Sequence, residues 1–128
     1  MEKIVYKELS YRINGLCFKI HDVLGRNCKE KQYCDLFEIL LQKEKIEYER
    51  EKNLDIILEE QKIRGNRVDF FIARTILFDA KAKNFITKDD YRQMKRYLQA
   101  TNLKLGIIVN FHDVSIRPKR VLNSAGKE

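Results

Sequence analysis

Ile13, Leu16, Cys17, Ile20, Val23 and Leu24 recur at three- and four-residue steps, a spacing that gathers apolar side chains on one side of an α-helix and predicts a first helix closed by Gly25. A second helix is expected to begin between Cys28 and Glu30, with Tyr33, Phe37, Leu40 and Leu41 on its inner face and Glu44 and Lys45 leading out. From Ile46 onward the period shortens: Tyr48, Leu54, Ile56 and Leu58 predict a strand and Glu59 to Gln61 a polar turn. Arg67–Ile72 and Thr75–Ala82 are two further strand patterns, joined by Ala73 and Arg74 as a hairpin. Thr87 followed three residues later by Asp90 approximates a capping box and opens a third helix, whose inner stripe is Tyr91, Met94, Leu98 and Thr101. Leu105–Asn110 is an apolar run suited to a sheet interior, and to the basic segment Ile116–Leu122 the pattern assigns no form. The order is ααβββαβ. It describes an α/β chain with two N-terminal helices, a mixed central sheet and a helix crossing over before the last strand, read as one domain over residues 1–128.

The hairpin concentrates charge where burial is expected. In the simplest register, symmetric about Arg74, Ile72 pairs with Ile76, Phe71 with Leu77 and Asp69 with Asp79. Directly opposed residues have Cβ atoms roughly 4.5–5.5 Å apart, and like charges at that distance destabilise a sheet. Alternation puts Lys81 on the face of Asp79, while Val68, Phe70, Ile72, Phe78 and Ala80 point to the opposite, apolar side. Helices on both sides should cover this sheet, so something must offset the repulsion. Hard carboxylate oxygens suit Mg2+ or Mn2+, which need only one or two carboxylates and take the rest of their shell from water and substrate. Lys81 does not ligate the metal; beside one, its ammonium stabilises phosphorane-like charge or orients and helps deprotonate a water. The competing reading is an Asp–Lys pair on a solvated sheet face.

Three more residues admit two readings each. Glu30 sits three residues before Tyr33, in line with a buried stripe, which calls for a cation or hydrogen bonds; a first-turn Glu is equally favoured by the helix dipole. Gln93 and Tyr97, one turn apart, either present an amide and a phenol to the hairpin or are a solvated and a packed residue.

Composition narrows the classes. The chain is 44% apolar and 35% charged, which fits a packed globular protein rather than a disordered one. No apolar run approaches the roughly 18 residues that span a bilayer, and residues 1–10 lack the core of a signal peptide, so the expectation is a cytoplasmic chain without membrane contact. Cys17, Cys28 and Cys34 form no CxxC pair and have no matching His spacing, which argues against zinc and disulfides and makes Cys17 a small core residue. Neither His21 nor His112 accompanies a Ser or Cys in a nucleophile elbow; His21 is expected to be packed or hydrogen-bonded on its helix, or to stand behind the site. A net charge of +7 suits a polyanionic partner and equally an ordinary solvated surface.

Asp69, then Asp79-Ala80-Lys81, then a helix and a strand, resembles the PD-(D/E)XK nuclease superfamily, and from about Ile13 to Leu122 the chain is similar to the GxxExxY protein family within it. The naming motif reads Asn27-Cys28-Lys29-Glu30-Lys31-Gln32-Tyr33, with Glu30 and Tyr33 matched and Asn27 in place of the leading glycine, a residue that also tolerates left-handed backbone. Ile20-His21 and Leu24-Gly25 match the segment before it, Asn110-Phe111 matches the usual end of the last strand, and Gln93 and Tyr97 look like the QxxxY helix motif of RecB-type nucleases. The resemblance implies a restriction-endonuclease-like core using Mg2+ or Mn2+. In it Asp69 and Asp79, with Glu30, hold the metal, Lys81 assists the water, and Glu30 and Gln93 complete the pocket. Asp79 stands where Glu is common. DNA is the implied substrate, with Lys83, Arg92, Lys95, Arg96 and Tyr97 as nucleic-acid contacts and Lys104, Arg117, Lys119 and Arg120 as further phosphate contacts, in a chain acting as one subunit or a homodimer. Two other classes are carried: a nuclease-fold module that binds nucleic acid or protein without turnover, and a sugar hydrolase with Asp69 and Asp79 as acid and base, which Lys81 makes the poorer match.

Overall fold

The computed structural model describes residues 5–126. Helix α1 (Lys7–Leu24) buries Ile13, Leu16, Cys17 and Ile20, and Gly25, at φ 71°, ends it with its N–H on the His21 carbonyl at 2.8 Å. Val23 departs from the expected stripe: it is 65% exposed, and Leu24 takes the inward place in the last turn. Helix α2 (Glu30–Lys43) buries Tyr33, Cys34, Phe37, Leu40 and Leu41. Strands β1 (Tyr48–Leu58), β2 (Gln61–Ile72) and β3 (Ile76–Lys81) follow, then helix α3 (Lys88–Thr101) and strands β4 (Leu105–Asn110) and β5 (Lys119–Leu122). Thr87 caps α3 as its sequence predicts, its hydroxyl accepting the Asp90 N–H while the Asp90 carboxylate accepts the Thr87 N–H.

The five strands lie in the order β1-β2-β3-β4-β5. β3 and β4 are parallel, joined by the α3 crossover; the other neighbours are antiparallel. Two differences from the pattern have local causes. The basic segment contributes β5, an edge strand pairing Val121 with Gly106, so the full order is ααβββαββ; with four residues, half of them charged, it carries too little alternation to read. β2 starts at Gln61 rather than Arg67, because its first residues project beyond the covered sheet, are exposed, and need no apolar side chains.

Helices cover both faces. α1 and α2 pack on Phe70, Ile72, Ile76, Phe78, Ala80, Leu105, Ile107 and Val109, with the Phe37 ring 4.5 Å from Phe78 and edge-on to Phe70 at 4.9 Å. α3 packs its Met94, Tyr97 and Leu98 on Leu77 and Ile108. A Cβ on Gly106 would sit 2.5 Å from the Met94 sulfur, so bare backbone there lets α3 settle onto β4.

The β2–β3 turn is closed by the Thr75 N–H on the Ile72 carbonyl at 3.0 Å, with Ala73 and Arg74 at φ 50° and 56°. Left-handed backbone costs a residue with a Cβ about 1–2 kcal/mol, against about 0.5–1 kcal/mol of extra chain entropy for glycine. Arg74→Gly is therefore expected to raise the melting temperature by a few degrees in a thermal denaturation experiment; an unchanged or lower value would show that the turn carries no strain.

Candidate active site

The β2–β3 ladder runs Ile72 to Ile76, Phe71 to Leu77 and Phe70 to Phe78, and stops there. Asp69 and Asp79 stand one step further in the same register, but side chains replace the ladder. The Asp69 N–H donates to Asp79 Oδ1 at 3.0 Å, and the Ala80 N–H donates to Asp69 Oδ2 at 2.8 Å. Each carboxylate thus occupies the space in which the opposite strand would pair. On β1, Glu51, which lies between the pairs Arg50–Phe70 and Lys52–Val68, turns to φ 55°. Alternation fails across this break: Val68, expected on the face of Phe70, packs instead with Leu54 and Leu77 on the α3 side.

An open cleft of about 440 Å³ lies at the fork, and α2, the β2–β3 hairpin and α3 each reach it with residues singled out by sequence: Glu30 from α2, Asp69, Asp79 and Lys81 from the hairpin, Gln93 and Tyr97 from α3. Gln93 lines the cleft, Tyr97 both lines it and packs in the core under α3, and Glu30 is both the first residue of its helix and part of the cleft. Three further lining residues, Asn53, Gly65 and Arg67, come from the β1–β2 hairpin. Arg67 was accessible by counting two back from Asp69 along one strand face. Asn53 and Gly65 gave no signal, because the start of β2 was hidden in a polar stretch.

Around the cleft, uncharged groups fix the charged ones. The Tyr33 hydroxyl donates to the Gly25 carbonyl at 2.6 Å and accepts the Cys28 N–H at 3.2 Å, while its ring stacks on Phe111 at 4.5 Å. It clasps the turn that delivers Glu30. In that turn only Gly25 takes positive φ; Asn27, which stands in the motif's glycine position, does not. Arg26 Nε donates to the His112 carbonyl at 2.8 Å, and His21 Nε2 lies 2.9 Å from the Asp113 carbonyl, so the same turn is latched to the exit of β4. Buried Asn110 pairs with Lys81 in the parallel register; its amide donates to the Lys83 carbonyl at 2.8 Å and its oxygen accepts the Lys83 N–H at 3.2 Å. Lys81 is held from its C-terminal side by a residue that shows in the sequence only as the end of a strand.

The carboxyls are electrostatically unsettled. Asp79, 5% exposed, is pushed up to about 6 by burial and then by the charge of Asp69, while the Asp69 N–H and Lys81 pull it back. Burial also raises Asp69, opposed by the Ala80 N–H, Lys81 and Arg67. Glu30, exposed as a whole residue but with its carboxyl turned partly into the cleft, is raised by burial and by Asp69. A divalent cation offsets all three effects. Each Asp commits one oxygen to a backbone N–H, leaving a second for a cation, and two carboxylates with water suffice for Mg2+. Among the described residues no three His, Cys, Asp or Glu side chains gather into a ready-made cage. The donor set fits a carboxylate-poor, water-rich ion.

At least four of the eight cations named for nucleic-acid contact have polar partners of their own. Lys83 pairs with Asp90, Arg92 with Asp89, Lys95 donates to the Leu122 carbonyl at 2.6 Å, and Arg120 reaches Ser10 Oγ and the Val5 carbonyl. Arg96 lies over the Tyr97 ring at 6.0 Å. Lys104, Arg117 and Lys119 do not line the cleft.

A family model described as the PD-(D/E)XK nuclease superfamily matches residues 7–121. No curated protein matches the chain, and no solved structure does. Among the described residues no helix is long and apolar enough to cross a membrane.

Two outcomes follow from the geometry. Tyr33→Phe strands the Gly25 carbonyl and the Cys28 N–H and is expected to cost about 1–2 kcal/mol in denaturant unfolding, an unchanged midpoint being the contrary result. The second concerns pH: folded Asp79 keeps its proton to about pH 6, whereas its ordinary value is 3.8. The folded state thus binds more protons across that interval, and the associated stability, complete at lower pH, is lost as pH rises through 6, by up to about 3 kcal/mol. Without divalent metal, Asp79→Asn should flatten the profile of melting temperature against pH and melt above wild type at neutral pH. Parallel profiles would remove the assignment.

Proposed function

The chain belongs to the PD-(D/E)XK nuclease superfamily, and on that premise we propose that the cleft is a metal-dependent centre hydrolysing phosphodiester bonds of DNA. The observation that carries this reading is the buried Asp69–Asp79 pair beside Lys81 at a break in the sheet. The family is one of nucleases that generally use divalent metals, and the whole chain is read as one domain because both helical layers pack on a single sheet. In its motif around Glu30 and Tyr33 the chain resembles the GxxExxY proteins.

Asp69 and Asp79 would hold Mg2+ or Mn2+ through the oxygens not given to the backbone. The ion supplies Lewis acidity toward a phosphoryl oxygen and a lowered pKa for water. Lys81, fixed by Asn110 and β4, places its ammonium where charge builds on the phosphoryl group and orients the attacking water. Gln93 brings an amide to the same space from α3, and Glu30 an acceptor from α2. Water attacks phosphorus, the bond to the departing deoxyribose oxygen breaks and that oxygen takes up a proton, and a phosphomonoester and a hydroxyl result. In this arrangement the hairpin does the chemistry while the helices close the site from both sides.

The test is cleavage of single-stranded, duplex and branched DNA with Mg2+ or Mn2+, together with the metal-induced rise in melting temperature. Asp79→Ala and Lys81→Ala, each verified as folded, are expected to lose at least about 100-fold in rate, and Asp79→Ala to lose the metal-induced rise as well. Undiminished cleavage by Asp79→Ala would overturn the site. A wild type that neither cuts nor responds to metal would make the chain a binding module on a nuclease fold.

A further inference from the structure

Beside the main cleft lies a second pocket of about 170 Å³, reaching Lys31 and Arg50. The two cavities share three residues: Glu30, Asp69 and Arg67. Two of these are acids of the candidate centre. The third is a guanidinium, which has no part in holding a cation.

Arg67 is placed unlike the other cations. Lys95 and Arg120 donate to backbone carbonyls, Arg50 is clamped by Asp35 at 2.8 Å and Glu38 at 3.1 Å, and none of these three lines the main cleft. Arg67 has only Glu51, at 3.9 Å with both side chains 59% exposed, an arrangement worth little in solvent. It is nevertheless held firmly at its base. Its backbone pairs with Asn53, and its N–H faces the Tyr97 hydroxyl. Its charge is near enough to Asp69 to pull that carboxyl down. The wall beside it is open: Gly65, at φ 89°, has nothing within 4 Å of where a Cβ would be, and a register shift between Leu54 and Ile56 bends the hairpin here.

We propose that Arg67 is the phosphate clamp of the site, gripping the phosphodiester next to the scissile one where a DNA strand passes from the main cleft into the second pocket. This rests on the nuclease reading and adds the track of the substrate and the residue that fixes it. An acidic centre repels a polyanion, and two cations remain on the cleft wall to receive it. Lys81 faces the reacting phosphate, so the neighbouring phosphate falls to Arg67, whose planar fork suits two phosphoryl oxygens. The bare backbone at Gly65 leaves room for the strand to lie close. The β1–β2 hairpin, rather than α3, is then the nucleic-acid element of this chain.

The experiment measures binding of labelled single-stranded and duplex DNA to the full chain in Ca2+, over a series of salt concentrations, with the Mn2+-induced rise in melting temperature as a separate readout. Arg67→Ala is expected to weaken binding about tenfold and to lower the slope of log affinity against log salt by about one, with the Mn2+ effect intact. Arg67→Lys should recover the slope and part of the affinity, because it restores charge without the fork. Lys19→Ala, an exposed cation of α1 that lines neither cavity, serves as the surface control and should bind as wild type. If Arg67→Ala binds as wild type, or only Lys19→Ala weakens binding, the clamp is wrong and the nuclease centre stands. If wild type binds no DNA, the nuclease reading fails, and the clamp with it.

Discussion

Two like charges facing each other across a hairpin are the constraint around which this protein is arranged. Asp69 and Asp79 would repel across an intact ladder, so the ladder ends at Phe70 and Phe78 and each carboxylate takes an N–H from the other strand. This cross-bonding has two effects. It lets two acids remain under cover, and it opens the sheet at a point both helical layers can reach, so that Glu30 and Gln93, from opposite layers, line one cleft. Desolvation keeps the pair poised for a cation, since burial raises both carboxyls and their mutual charge raises Asp79 further.

What steadies the fork is mostly uncharged. Asn110 binds the segment after Lys81, Tyr33 binds the turn before Glu30, and Arg26, His21 and Phe111 connect that turn to the end of β4. The charged residues therefore sit on adjacent, mutually fastened segments, and a hydroxyl or an amide in the wrong place would move a carboxylate. Catalytic constellations need this kind of rigid support, because small displacements of a charged group change its reactivity steeply.

Much of this was legible before any coordinates. The three helices, the hairpin register and the capping box at Thr87 all follow from periodicity or short spacing, and all are present, whereas spacing left two readings open for Gln93 and Tyr97. Features that depend on the break in the sheet were not. Val68 changes face because the Asp69 N–H leaves the ladder, which no alternating pattern encodes. The early start of β2 and the strand β5 were hidden because exposed or edge strands need few apolar residues. Nor does net charge reveal which lysines and arginines near α3 already have an acid or a carbonyl beside them.

β1 forms one end of the sheet, eleven residues long, with a row of backbone groups facing outward. An edge of that length is a ready template on which another chain can add a strand. Here Glu51 is turned into left-handed backbone beside the carboxylate fork, the register slips between Leu54 and Ile56, and Glu49, Lys52 and Asp55 place charge along the same strand. The distortion that opens the cleft thus also spoils its neighbour as a surface for edge-to-edge aggregation.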